Sequence, residues 1–161
     1  MRRVVTIVYL FILWFLLTWA WNAQSLIVGG VVALSLGLVY GRLFATDTAK
    51  ILQPKRWLWF GIYIPIFVWE MAKANFDVAY RVVHPKMPIR PGIVKVRTRI
   101  KSELGRVFLA NSITLTPGTF TIDIKGEYLY IHWLFTRCTG LEEASQAIVG
   151  PFEKYIIKIF D

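Results

Sequence analysis

The hydrophobic pattern of the chain begins with two long apolar runs separated by a short polar turn. Val4 to Trp21 contains 18 residues without a charged side chain, and Leu26 to Gly41 is a second such run. A helix needs about 20 residues to cross the hydrocarbon core of a bilayer. Because only Asn22 to Ser25 separate the runs, the pattern predicts an antiparallel transmembrane hairpin.

Small residues recur at every fourth position of the second run: Gly29, Ala33, Gly37 and Gly41. They share one helical face, and small residues let the backbones of two membrane helices approach closely. The spacing fits a helix-packing seam for another subunit. It fits equally well a seam that packs against the first helix of the same hairpin.

A third apolar run is shorter and ends in charged residues. Trp57 to Trp69 has 13 uncharged residues, which cover about 20 Å of a core that is roughly 30 Å thick. Pro65 predicts a kink, because proline removes a helical hydrogen bond. An ionic stripe of alternating sign follows on one helical face: Glu70, Lys73, Asp77 and Arg81. The segment is predicted as a kinked helix that spans part of the membrane and ends as an amphipathic helix.

This ionic stripe has two interpretations. Ionisable groups at membrane depth are candidates for a proton or cation relay. The alternative is the solvated or headgroup-facing side of an interfacial helix, which the alternating signs and the position after the apolar run favour. The first two runs contain no acid and no lysine, so the chain is poorly equipped to form an ion pathway alone.

The second half of the chain begins with a proline-punctuated linker. Prolines at positions 85, 88 and 91 indicate a boundary between a membrane-embedded helical region, 1–84, and a cytoplasmic domain, 85–161. Ile93 to Lys101 then alternates strictly, as an amphipathic strand does. Its polar side carries four cations: Lys95, Arg97, Arg99 and Lys101. They fit a contact with anionic lipid or an acidic partner, or the solvated side of an edge strand.

The next elements are a helix and a turn. Ser102 is a suitable N-cap for a helix that runs to about Ile113. The helix ends before a predicted type II turn, in which proline fixes φ and glycine accepts a positive φ. The turn residues are Thr116, Pro117, Gly118 and Thr119, and the hydroxyls of Ser112, Thr114, Thr116 and Thr119 are expected to cap backbone groups around it.

The remaining pattern completes a small α+β domain of order β-α-β-β-α. A strand from Thr119 to Ile124, with Phe120, Ile122 and Ile124 on one face, pairs with a strand from Tyr128 to Phe135. A capping box at Thr139 and Glu142 opens the last helix, 141–160, which Gly150-Pro151 interrupts. The expected architecture is a three-stranded sheet with helices on one face.

Charge and composition indicate where in the cell the chain is located. The chain is 56% hydrophobic with a net charge of +9, which together with the long apolar runs predicts a multi-pass membrane protein. The basic flanks of the hairpin belong on the cytoplasmic side, and a third segment that does not cross keeps the C-terminal domain there. Anionic lipids are predicted partners, and no nucleic acid is expected.

The sequence contains no pattern for catalysis, a cofactor or a metal. There is no phosphate-binding glycine loop, no nucleophile elbow and no Cys/His cluster with metal spacing. Cys138 is the single cysteine, so an intramolecular disulfide is excluded. No catalytic, cofactor-binding or metal-ligating residue is therefore predicted, and the chain is not expected to be an enzyme.

Several motifs resemble one family. The block from Leu109 to Thr119, LANSITLTPGT, with the alternating strand after it, resembles the MnhE family, the E-type components of Mrp-type multisubunit Na⁺/H⁺ antiporters. Three shorter segments are similar to the same family: Asn75-Phe76-Asp77-Val78, Pro91-Gly92-Ile93-Val94 and Tyr130-Ile131-His132.

The resemblance implies an accessory or assembly subunit of a cation/proton antiporter in a prokaryotic cell membrane, with a cytoplasmic C-terminal domain and with large antiporter-like subunits as partners. Homologous modules occur in archaeal membrane-bound hydrogenases, so a redox-driven respiratory complex is the first alternative. A membrane-tethered module that binds lipid or nucleic acid is the second.

Overall fold

The computed structural model describes residues 2–44, 53–138 and 140–161, without the side chains of residues 2 and 41–44. The chain forms two compact units, Met1–Gln53 and Pro54–Asp161. The units divide thirty-one residues before the predicted boundary between 84 and 85, because the third long helix contributes to the core of the second unit. The boundary between membrane-embedded and cytoplasmic parts is a different property and stays a prediction.

The first unit is a pair of helices, α1 (Arg2–Thr18) and α2 (Ala23–Phe44). The Trp14 indole donates to the Ser25 carbonyl at 3.1 Å near the turn, and Gly37 lies against Ile7 farther along, so the two helices run antiparallel. The segment Ala23–Tyr40 of α2 is long and apolar enough to cross a membrane, whereas the apolar part of α1, Arg3–Thr18, is shorter.

The second unit begins with α3 (Pro54–Val83), a helix of 30 residues that continues through Pro65. One face of α3 packs on the rest of the unit. Tyr63 is 3% exposed and belongs to the hydrophobic core, and Trp59, Phe60 and Phe67 pack against that core. This helix is therefore part of the folded domain.

Three antiparallel strands form one sheet: β1 (Gly92–Arg97), β2 (Thr119–Lys125) and β3 (Tyr128–Trp133), in the order β1-β3-β2. The helices are α4 (Glu103–Leu115), α5 (Leu141–Ile148) and α6 (Gly150–Phe160). After α3 the elements follow the predicted order, with the last helix divided at Val149. The core joins Val96 and Ile131 of the sheet to Leu109, Ile113 and Ile156 of the helices.

Element ends differ modestly from expectation. Ser102 caps α4 by accepting from the Gly105 amide at 3.1 Å, and α4 ends at Leu115, two residues beyond the predicted Ile113. The predicted strand from Ile93 to Lys101 ends at Arg97. The alternation nevertheless continues, because Thr98 and Ile100 are buried. The predicted capping residue Thr139 lies outside the described residues.

Strand β2 contains a bulge that the sequence pattern did not predict. Thr121 pairs with Ile131 and Asp123 with Tyr130, so Ile122 is an extra residue. Before the bulge, the Thr121 hydroxyl faces α4 and donates to the Ala110 carbonyl at 3.2 Å.

The face predicted for this strand is wrong in its first half. Phe120 and Ile122 are 56% and 49% exposed, and only Ile124, after the bulge, packs against the core. A bulge moves the following side chains to the opposite face. Thr119 and Thr121 occupy the inner side of the strand, because their hydroxyls donate to backbone carbonyls in α4 and just after it.

Candidate functional site

A cleft of about 440 Å³ lies within the second unit, beside α3. One wall is α3, which contributes the whole ionic stripe: Glu70, Lys73, Asp77 and Arg81. The facing wall contains the turn Thr116 to Thr119, the segment from Trp133 to Phe135, and Phe152 of α6. The structure therefore brings together two residue sets that are far apart in the sequence.

The turn has the geometry that its sequence predicts. Gly118 has a φ of +88°, the positive value that a type II turn needs at its third position. The Thr119 amide donates to the Thr116 carbonyl at 3.3 Å across the turn. A β-carbon on Gly118 would lie 3.3 Å from Cγ2 of Val78, so a side chain at this position of the turn would crowd α3.

The hydroxyl groups around the turn bind backbone atoms, as expected. Thr116 donates to the Ser112 carbonyl at 2.8 Å, and Thr119 donates to the Ile113 carbonyl at 2.7 Å. Ser112 donates to the Phe108 carbonyl at 2.8 Å, and the Thr114 hydroxyl accepts from the Thr121 amide at 3.2 Å. These bonds occupy the hydroxyls and tie the end of α4 to the start of β2.

The charges of the ionic stripe are paired with each other. The Lys73 amine lies 2.7 Å from a Glu70 carboxylate oxygen. Arg81 donates from Nε and Nη2 to the two oxygens of Asp77 at 2.8 and 2.9 Å. Arg137 approaches the same carboxylate at 3.5 Å from the far wall of the cleft.

Arg81 is the most enclosed member of the stripe, with 7% of its surface exposed. Besides Asp77 it donates to the Pro88 carbonyl at 2.8 Å, and its guanidinium lies 3.8 Å from the centre of the Phe135 ring. An arginine fork can make such bonds and stack on a ring at the same time. Arg81 thereby fastens the C-terminal end of α3 to the linker and to the segment after β3.

This electrostatic arrangement favours a structural role. Hydrogen bonding from Arg81 lowers the pKa of Asp77 below its ordinary value, whereas a proton relay works best with a group that titrates near neutral pH. Among the described residues, no group of three or more His, Cys, Asp or Glu side chains could hold a metal ion.

The predicted basic row lies on and after the edge strand β1. Lys95 covers the Tyr128 ring at 3.8 Å. Arg97 donates to Glu127 at 3.0 Å, and Arg99 lies 3.8 Å from a Glu153 carboxylate oxygen. At Lys101 the backbone amide donates to Asp161 at 3.0 Å. Two of the four side-chain charges are therefore paired within the domain.

The predicted small-residue seam faces α1. A β-carbon on Gly29 would meet Trp14, a β-carbon on Gly37 would meet Ile7, and Ala33 between them is 1% exposed. Gly41 belongs to α2, and its surroundings lie outside the described part of the chain. The structure thus places three of the four seam residues against the other helix of the hairpin.

Sequence reasoning missed several contacts around the cleft. Tyr63 donates to the Ser112 hydroxyl at 2.6 Å and so joins α3 to α4. Its position in an apolar run gave no sign of a polar partner. Phe135 and Arg137 follow β3 in a stretch without periodicity, so no sequence pattern connected them with Arg81 or Asp77.

Comparison with known proteins gives concordant results. The family model MNHE, described as Na⁺/H⁺ ion antiporter subunit, matches residues 7–159 of this chain. The E-type component of the Na⁺/H⁺ antiporter of Alkalihalophilus pseudofirmus is 33% identical over 143 residues, covering 87% of this chain and 86% of the relative. Its counterpart in Bacillus subtilis is 33% identical over 161 residues, with 94% of each chain covered.

A solved structure is similar over nearly the whole chain. It is a chain of the membrane-bound sulfane sulfur reductase, an archaeal respiratory membrane complex, with 45% identity, a TM-score of 0.83 and 99% of both chains covered. The family model spans the whole cleft and the turn, all of α2, and α1 from residue 7 onward. The chain therefore belongs to the MnhE family of Na⁺/H⁺ antiporter subunits.

Proposed function

We propose that this chain is an accessory subunit of a multisubunit cation/proton antiporter in a prokaryotic membrane, and that its partners are the other subunits of that complex. Membership of the MnhE family over residues 7–159 is the observation that carries the proposal. The relatives from A. pseudofirmus and B. subtilis are named as antiporter subunits and match over most of their lengths.

The pairing of the charged side chains supports the accessory role. The two helices of the first unit contain no acid and no lysine between Val4 and Gly41. On α3, Asp77 is bound by Arg81 and Glu70 by Lys73. A subunit that carried ions by itself would need ionisable groups free to exchange protons or bind cations within the membrane. This chain instead supports subunits that have such groups.

The topology belongs to the same proposal. The hairpin of α1 and α2 crosses the membrane twice, and the domain after it stays in the cytoplasm. The basic residues that flank the hairpin support this orientation: Arg2, Arg3, Arg42, Lys50, Lys55 and Arg56. A cysteine introduced at Glu127, at the tip of the β2–β3 hairpin, should resist an impermeant thiol reagent in intact cells. Labelling there would overturn the orientation.

A redox-driven complex is the second candidate. It is favoured by the 45% identity and the TM-score of 0.83 to a chain of the archaeal sulfane sulfur reductase complex. In such a complex the chain would have the same accessory role, beside subunits that transfer electrons.

Purification of the tagged chain from its own host in mild detergent, followed by mass spectrometry, tests both candidates. Co-purification of large antiporter-like subunits without redox subunits supports the antiporter, and deletion of the gene should then abolish Na⁺/H⁺ exchange in everted vesicles. Co-purification of electron-transfer subunits supports the second candidate. Recovery of the chain as a lone monomer would contradict both.

A further inference from the structure

The centre of the outward face of α3 carries no charged side chain from Leu58 to Val83. Six large apolar or aromatic residues follow one another at helical spacing and form what we call the outer row: Leu58, Ile62, Trp69, Phe76, Tyr80 and Val83. All six are exposed, and Trp69, Phe76 and Val83 are 64%, 77% and 82% exposed. Lys73 lies at the edge of this face and is paired with Glu70.

The opposite face of α3 is bound to the domain from its first turn to its last. Arg56 donates to the Ile159 carbonyl at 2.6 Å at the N-terminal end. Tyr63 bonds to Ser112 in the first half, and Arg81 holds the Pro88 carbonyl at the C-terminal end. These contacts run from Arg56 to Arg81, so the attachment extends over about 38 Å of the helix.

A helix attached in this way is not free to cross a bilayer. Crossing would draw the domain alongside it into the hydrocarbon core, together with exposed cations such as Lys95, Arg97 and Lys125. Each charged side chain at the bilayer centre costs several kcal/mol, roughly 3 on insertion scales. The row from Leu58 to Val83 is about 38 Å long, which also exceeds the roughly 30 Å that a crossing helix must cover.

We propose that α3 lies in the plane of the membrane surface, with the outer row in the boundary between lipid headgroups and acyl chains and with the domain on the aqueous side. This inference rests on the proposed place of the chain in a membrane complex. It replaces the partial crossing expected from the length of the apolar run.

Three observations favour lipid as the occupant of this face. Trp69 and Tyr80 of the outer row are amphipathic aromatics of the kind that concentrate at membrane interfaces. Small residues do not recur at four-residue spacing on this face, unlike on α2, so it lacks a seam for close helix packing. Residues 54–161 carry fifteen lysines and arginines against nine acids, which complements anionic headgroups.

The connection along the chain agrees with this placement. Nine residues separate the end of α2 at Phe44 from the start of α3 at Pro54. The segment Ala23–Tyr40 of α2 is long and apolar enough to cross a membrane. The helix that carries the outer row is thus joined by a short connection to a helix suited to the bilayer itself.

Depth measurements with labelled lipids test the proposal. In a chain whose Cys138 is replaced by serine, single cysteines are introduced at Leu58, Trp69 and Tyr80 and labelled with a small fluorophore. The purified complex is reconstituted into vesicles of phosphatidylethanolamine and phosphatidylglycerol, with quenchers attached either near the headgroup or near the end of the acyl chain. A label at Lys125, on the sheet, is the matched control.

If α3 lies in the plane of the membrane, the shallow quencher should act more strongly than the deep quencher at all three positions. Neither quencher should act on the label at Lys125. A graded depth from Leu58 to Tyr80 would overturn the proposal in favour of a crossing helix. Absence of quenching at all three positions would overturn it in favour of a protein partner on the outer row. The partner subunits are counted in the same preparation, so failure of the proposed complex is recognised by their absence.

Discussion

At Gly118 a local backbone requirement coincides with a contact to a distant helix. Its φ is +88°, and a β-carbon would lie 3.3 Å from Val78. Gly126 is a matched control, because it has a φ of +61° but no atom within 4 Å of its β-carbon position. Gly126→Ala should therefore cost the backbone strain alone, about 1 kcal/mol.

We expect Gly118→Ala to lower the free energy of unfolding by more than Gly126→Ala does, measured by thermal unfolding in mild detergent. The excess arises because the new methyl group forces Val78 to move. Val78→Ala in the same chain should reduce the excess. Equal losses for the two alanine variants would show that the approach of the turn to α3 does not matter.

Arg81 and Arg97 each pair with a carboxylate, but only Arg81 is buried, so comparing them tests how much burial adds to the stability that an ion pair contributes. The Arg81 side chain is 8% exposed beside Asp77, and the Arg97 side chain is 51% exposed beside Glu127. Arg81→Ala should lower the free energy of unfolding by about 2–3 kcal/mol, because an enclosed charge pair and the bond to the Pro88 carbonyl are lost.

Arg97→Ala should leave stability nearly unchanged, because exposed ion pairs contribute little. The two variants are compared by urea unfolding of the full chain. If Arg97→Ala lowered the free energy of unfolding as much as Arg81→Ala, the contacts of Arg81 with the linker and Phe135 would not contribute specially to stability.

For individual residues, the conformation of the turn could be predicted from the sequence, whereas the contacts that the turn and Arg81 make with other elements could not. Proline and glycine determine the backbone conformation of the turn locally, so Pro117 and Gly118 specify it in any context. The contact of Gly118 with Val78 and the stacking of Arg81 on Phe135 join residues from different elements. Such contacts follow from packing, which the sequence pattern does not encode locally.

Among the elements, α3 shows what a helical pattern can and cannot predict. The sequence correctly separates a charged stripe from an apolar face. It does not say which face packs on the domain, because a charged residue such as Arg81 can be buried there when it is paired and hydrogen-bonded. Glu70, Asp77 and Arg81 face the cleft, while the apolar residues Trp69, Phe76 and Val83 are exposed.

Two aromatic residues on opposite faces of α3 give a direct comparison. Tyr63 is 3% exposed and Trp69 is 64% exposed. Tyr63→Ala should destabilise the second unit by roughly 3–5 kcal/mol, since it leaves a cavity among Phe67, Phe108 and Phe152. Trp69→Ala should change stability much less in detergent. Thermal unfolding of both variants checks this, and a reversed order would mean that the faces of α3 are assigned wrongly.

For the whole molecule, the main revision concerns where the folded domain begins. The order of strands and helices after the linker could be predicted, because strands and helices have different hydrophobic periods. The contribution of α3 to the core could not, because an apolar run next to a membrane hairpin has the same composition whether it faces lipid or protein. The compact unit accordingly starts at Pro54.

This revision predicts the behaviour of fragments. A fragment of residues 54–161 contains the complete second unit, whereas residues 85–161 lack Tyr63 and the other core residues of α3. We expect the longer fragment to unfold cooperatively in mild detergent and the shorter one to have a much lower melting temperature or none. Equal melting temperatures would show that α3 is dispensable for the core.

The bulge in β2 has a consequence for the length of the chain. Deleting a residue from a strand normally turns every later side chain to the wrong face. Ile122 is a spare residue in this respect, because its neighbours Thr121 and Asp123 already pair with the consecutive residues Ile131 and Tyr130. We expect a chain without Ile122 to keep its melting temperature within a few degrees, measured by circular dichroism.

Deletion of Tyr130 is the matched comparison, because β3 has no spare residue and both of its neighbours, Leu129 and Ile131, are fully buried. That deletion should abolish the cooperative transition, and equal tolerance of the two deletions would contradict the bulge. If Ile122 is spare, as the pairing of its neighbours indicates, position 122 is the place in β2 where we expect the chain to lose one residue without rebuilding the domain.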